Sequence, residues 1–113
     1  MKYLRLLSLV FVTLPVVALP QTVNFNSDLL LAARKGSEAT VLALLDQGAS
    51  VNSRNRLGDT PLLIAAKNGY TSMGLKLIER GADVNARDNR GKTAAVMAEE
   101  GGHHATLKLL RHP

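Results

Sequence analysis

Apolar and small residues come in short clusters, and each cluster is closed by a glycine. Leu29-Leu30-Leu31-Ala32-Ala33 runs up to Gly36, and Val41, Leu42, Leu44 and Leu45 run up to Gly48. Leu62, Ile64, Ala65 and Ala66 precede Gly69; Met73, Leu75, Leu77 and Ile78 precede Gly81. The spacing within the clusters is helical. Glycine is the common residue just past a helix end, because it takes the left-handed conformation without strain. The pattern therefore predicts pairs of short helices joined at a glycine. Start signals agree. Ser27 is the expected cap of the first helix, with Asp28 in its first turn, and the second is expected to start near Ser37-Glu38. Thr60 is expected to cap the third, with Pro61 at the first helical position. Gly74 is out of place inside a helical run and costs about 0.5–1 kcal/mol relative to alanine.

The helix pairs recur. Gly36, Gly69 and Gly102 are 33 residues apart, as are Leu44, Leu77 and Leu110. Gly48-Ala49 returns as Gly81-Ala82, Val51-Asn52 as Val84-Asn85, Gly58 as Gly91 and Thr60 as Thr93. A period of this length means stacked supersecondary units, since one helix pair cannot bury both its apolar faces alone. The clearest unit spans residues 54–86, flanked by a first unit at 25–53 and a third at 87–113. The third decays: it loses the proline at Ala94, carries Glu99-Glu100, and puts Arg111 where the earlier units have Leu45 and Ile78. A polar residue there suits a terminal unit whose outer face meets water. Between the pairs lie polar loops, with Val51 and Val84 expected to turn inward.

These residues resemble the ankyrin repeat. The family pattern is a glycine-containing tip turn, then T-P-L-x-x-A-A-x-x-G, a Leu-rich helix and G-A-D-V-N. Gly58, Thr60-Pro61-Leu62, Ala65-Ala66, Gly69, Leu77-Ile78 and Gly81-Ala82-Asp83-Val84-Asn85 follow it closely. Leu63 and Tyr70 stand where the family usually has histidine, while His103 matches the turn histidine. The resemblance covers about Phe25–Arg111 and implies an all-α solenoid of three helix-turn-helix units with projecting β-turn or hairpin loops. It also implies a protein-binding module, seldom an enzyme. Fold analogy alone does not establish that role.

Composition changes the picture mainly at the N-terminus. Lys2 and Arg5 precede an apolar run, Leu6–Val17, and Val16-Val17-Ala18 offers small residues. This is the order of a secretory signal, expected to be cleaved after Ala18. The run is short for a membrane span, so an uncleaved anchor is the lesser alternative. Residues 19–24 read as a flexible lead-in, and a periplasmic or secreted protein is expected, without stable membrane insertion after cleavage. Removing Lys2 and Arg5 lowers the formal charge from +5 to about +3, too little and too mixed for a nucleic-acid footprint. There is no cysteine, which rules out disulfides and thiolate chemistry.

Little catalytic chemistry is on offer, and no cofactor or metal is expected. His104 and His112 are eight apart on one expected helix, too far along it to share a metal. Glu99 and Glu100 are adjacent and need not converge. The functional candidates are the loop tips: Arg54, Asn55, Arg56 and Leu57, then Arg87, Asp88, Asn89, Arg90 and Lys92. Lys67, with Arg34, Lys35 and Asn68 near the inner-helix ends, extends that surface. The expectation is a monomer that docks one protein partner, with an acidic surface against the arginines. Its rivals are an envelope stress or enzyme-accessory factor without a stable partner and, more remotely, a metal protein or hydrolase.

Overall fold

The computed structural model describes residues 24–111. The expected signal segment, residues 19–23 of the lead-in, His112 and Pro113 lie outside the described residues. Six helices follow in order: α1 Phe25–Lys35, α2 Glu38–Asp46, α3 Pro61–Asn68, α4 Thr71–Glu79, α5 Ala94–Glu100 and α6 His104–Arg111. They form three antiparallel pairs. α1 packs on α2, α3 on α4 and α5 on α6, while α1, α3 and α5 pack side by side along one layer.

Local chemistry explains the boundaries. Thr60 and Thr93 cap α3 and α5, their hydroxyls accepting from the backbone N–H of Leu63 and Val96. Such a cap contributes about 1 kcal/mol. Pro61 opens α3 where its missing N–H costs nothing. One start is corrected. α1 begins at Phe25, and Asn24, not Ser27, caps it: the Asn24 side chain accepts from Ser27 N–H at 3.1 Å. Asparagine caps as well as serine does, and the earlier start brings Phe25 onto the helix, where it packs against the core. Ser37 precedes α2 as expected but makes no side-chain cap bond.

The core is aliphatic. Leu29, Leu62, Leu63 and Leu77 are among its fully buried side chains, with Ala33, Ala65, Ala66 and Ala98 between them. Each buried leucine contributes roughly 1.5–3 kcal/mol. The alanines let α1, α3 and α5 lie close. Leu63 thus fills with hydrocarbon the place where histidine was the expected family residue. Val51 and Val84 are partly buried against this core, as expected of inward-turned loop residues. Leu75, expected on the apolar side of α4, is instead 43% exposed, whereas Met73, Gly74 and Leu77 are buried.

Gly36 and Gly69 turn the chain between paired helices with φ of 73° and 74°. A ring from the following unit lies over each. A Cβ on Gly36 would stand 3.0 Å from Tyr70 Cζ, and one on Gly69 would stand 2.5 Å from His103 Nδ1. Gly74 has a different setting. A Cβ there would make ordinary contact with Leu62 Cδ1 at 3.7 Å and Leu109 Cδ2 at 3.8 Å.

Candidate functional site

The two connecting loops each end in a tight hairpin. In the first, Asn55 N–H donates to Asp59 O at 3.1 Å and Gly58 N–H to Asn55 O at 3.0 Å. In the second, Asp88 N–H donates to Lys92 O at 3.0 Å and Gly91 N–H to Asp88 O at 2.9 Å. A side chain holds each turn open at the same register. Asn55 Oδ1 accepts from the N–H of Leu57 and Asp59, both at 2.9 Å. Asp88 Oδ1 accepts from the N–H of Arg90 and Lys92, again at 2.9 Å. The Asp88 carboxyl is held below its ordinary value of 3.8, chiefly by the Lys92 N–H. Burial opposes that shift; the N–H and guanidinium of Arg90 reinforce it.

The tips are stitched together. Arg54 Nη1 donates to Gly58 O at 2.7 Å within its own tip and to Arg87 O at 2.6 Å in the next. Asn89 Nδ2 donates to Arg56 O at 2.8 Å, and Asn89 N–H to Leu57 O at 3.0 Å. Arg87 repeats the inner half of this scheme, donating to Gly91 O at 3.0 Å. So the two in-phase arginines, Arg54 and Arg87, have guanidiniums engaged by backbone carbonyls. Asp88 is buried in its turn, and Asn55 is half-buried. Arg90 returns to Asp88, with Nη2 3.3 Å from Oδ2.

Two further pairs share a register with their signs exchanged. Lys67 on α3 meets Asp59 at 3.1 Å. One period later, Glu100 on α5 meets Lys92 at 2.9 Å. Asp59 is 3% exposed and its Oδ1 is buried without a hydrogen-bond partner. Lys67 is 43% exposed.

The surface therefore sorts the expected residues by what their side chains do. Arg54, Arg87, Asp88 and Asn89 build and align the tips. Arg56 and Leu57 stand at the first tip with no such duty for their side chains, and Leu57 is 62% exposed. They border a groove of about 520 Å³ together with Arg34 from α1 and Ile64, Lys67 and Asn68 from α3. A second depression, of about 540 Å³, adjoins it through Arg34, Asn55 and Arg56 and reaches Leu31. Arg90 and Lys92 do not line this groove; with Glu100 they line a further depression that meets it at Lys67.

Among the described residues no group of three or more His, Asp or Glu is placed to hold a metal ion. His103, which matches the turn histidine of the family, serves the fold: its Nε2 lies 3.1 Å from the Lys67 carbonyl. Arg34 is the residue that the sequence underweights. Its signal was its register, since Arg34, Lys67 and Glu100 are successive equivalents at the end of the inner helices.

Three stacked helix pairs with hairpin tips aligned along one edge define a repeat solenoid. Residues 29–113 match the family model described as ankyrin repeats, in three copies. The chain belongs to the ankyrin-repeat family. Ankyrin repeats are in general protein–protein interaction modules, typically without enzymatic activity. No curated protein matches the chain. No helix among the described residues is long and apolar enough to cross a membrane.

Proposed function

We propose that this is an exported binding module, monomeric and without catalytic activity, that docks one protein partner through the first tip and the inner-helix groove. One observation carries the reading. Among the described residues, Arg34 and Arg56 have no ion-pair or hydrogen-bond partner for their guanidiniums, and they share a groove with the exposed Leu57. Arginine is enriched at interface centres relative to the rest of a protein surface, and Leu57 adds apolar area beside it. Export follows from Lys2, Arg5, the Leu6–Val17 run and the small residues ending at Ala18. The protein would then act in the periplasm or outside the cell.

Affinity capture of the tagged protein from its native compartment tests the binding reading. A stoichiometric protein partner is expected, and repeated recovery of the chain alone would sink it. N-terminal sequencing of the captured protein tests export. The expected start lies near Leu19, and an intact Met1 start in the cytoplasmic fraction would count against it.

A further inference from the structure

We propose that this groove takes an extended acidic segment of the partner, and that Asp59 sets how much positive charge the groove presents to it. The inference rests on the binding-module reading above.

Arg34 and Arg56 are prepared cations. Tyr70 Oη donates to Arg34 O at 3.4 Å, and Asn89 Nδ2 donates to Arg56 O at 2.8 Å. Each arginine thus has its backbone tied to the following unit while its guanidinium remains unpaired among the described residues. A guanidinium so placed matches a carboxylate through two parallel hydrogen bonds. Leu31 and Leu57, 45% and 62% exposed, border the two adjoining depressions. A segment with apolar residues between its acidic ones satisfies both features. Two exposed leucines favour peptide side chains over a sugar–phosphate backbone.

Lys67 should be the third cation of this site, but Asp59 holds it. The Asp59 carboxylate has no other ion-pair or hydrogen-bond partner through its side-chain oxygens, and its Oδ1 is buried and unsatisfied. A desolvated carboxylate in that state retains its one cation. Lys67 is thereby neutralised towards an incoming acid. One unit further along the same line stands Glu100, held by Lys92. The acid-binding stretch is therefore confined to the first two units, and Asp59 limits its strength. Asp59 is a specificity-determining residue that need not touch the partner.

The experiment uses the purified protein and a fluorescent peptide of alternating glutamate and leucine, with its glutamine counterpart and a single-stranded oligonucleotide as competing probes. The glutamate peptide is expected to bind about tenfold more tightly than the glutamine peptide. Arg34→Glu and Arg56→Glu should each weaken binding about tenfold, with thermal unfolding unchanged for Arg56→Glu. Asp59→Asn should strengthen it about threefold by releasing Lys67. Equal affinity for the two peptides, indifference to both arginine reversals, or preference for the oligonucleotide would overturn the acidic-segment assignment. An Asp59→Asn variant that binds no better would overturn the role given to Asp59. A native partner captured equally by the wild type and by Arg34→Glu/Arg56→Glu would defeat this inference while leaving the binding module intact.

Discussion

Tyr70 and His103 do the same work in consecutive repeats. Each follows a helix pair's turn by one unit and reaches back 36 residues to a carbonyl near the end of an inner helix, Arg34 O at 3.4 Å and Lys67 O at 3.1 Å. Each ring also covers the glycine of the preceding turn. The phenol and the imidazole differ in chemistry but share the task of tying one turn to the next.

That equivalence is unequal in strength. The Tyr70 bond is long and exposed, so Tyr70→Phe should cost less than about 0.5 kcal/mol. His103→Ala removes a shorter bond and uncovers Gly69, and should cost about 1–2 kcal/mol. Urea midpoints of the two variants check the order, and a Tyr70→Phe loss equal to that of His103→Ala would contradict it.

Gly74 stands where the neighbouring repeats have Val41 and Leu107. The space above it accepts a methyl group, and the helix around it would gain from one. Gly74→Ala should stabilise the protein by about 0.5–1 kcal/mol, read as a higher melting temperature. A lower one would mean that α3 and α6 approach more closely than these contacts indicate.

Arg54 bridges two tips, whereas Arg87 serves only its own. Arg54→Ala should cost about 1–2 kcal/mol and Arg87→Ala roughly half of that. Equilibrium unfolding of both variants makes the comparison. Equal losses would show that the bond across the tips adds nothing.

The exchanged pair invites a double-mutant cycle. Lys67→Ala strands the buried Asp59 carboxylate and should cost about 1–2 kcal/mol, less than a fully buried pair because Lys67 is partly exposed. Adding Asp59→Asn should restore most of that loss. Purely additive effects in the cycle would deny the coupling.

Asp88 should make stability depend on pH at the acid end. Its folded value is lowered, so the unfolded chain binds the proton first as pH falls. Its contribution is complete above the unfolded value near 3.8 and disappears as pH drops through the lower folded value. Asn55 makes the same two turn bonds without a titrating group. Asp88→Asn should therefore keep the turn and flatten the slope of urea midpoint against pH between about 5 and 2. An unchanged slope would place that dependence elsewhere.

The repeat was legible in the sequence because its signals are local. Thr60-Pro61, Thr93 and the turn glycines each act on the few residues beside them, and a period of 33 fixes the stacking. The function of the tip arginines was less legible. Arg54 and Arg87 recur in phase because the stack uses them, and their guanidiniums are occupied by carbonyls from Gly58, Arg87 and Gly91. The side chains left over are those whose equivalents change type, such as Arg56 against Asn89 and Leu57 against Arg90. Their partnership with Arg34 depends on how α1 lies beside the first tip, which no run of neighbouring residues encodes. Ser27 lost the capping role for a local reason: Asn24, three residues earlier, offers an equal oxygen and a longer helix.

The ties between units have one further consequence. Arg54–Arg87, Asn89–Arg56, Tyr70–Arg34 and His103–Lys67 all span about one period, and the main helix contacts likewise join elements of the same or adjacent units. Assembly then needs no distant ends of the chain to find each other, so the folding barrier carries the closure entropy of loops of about one repeat and not of longer ones. Order can spread outward from α3 and α4, one neighbour at a time, and be lost in the reverse sense from either end.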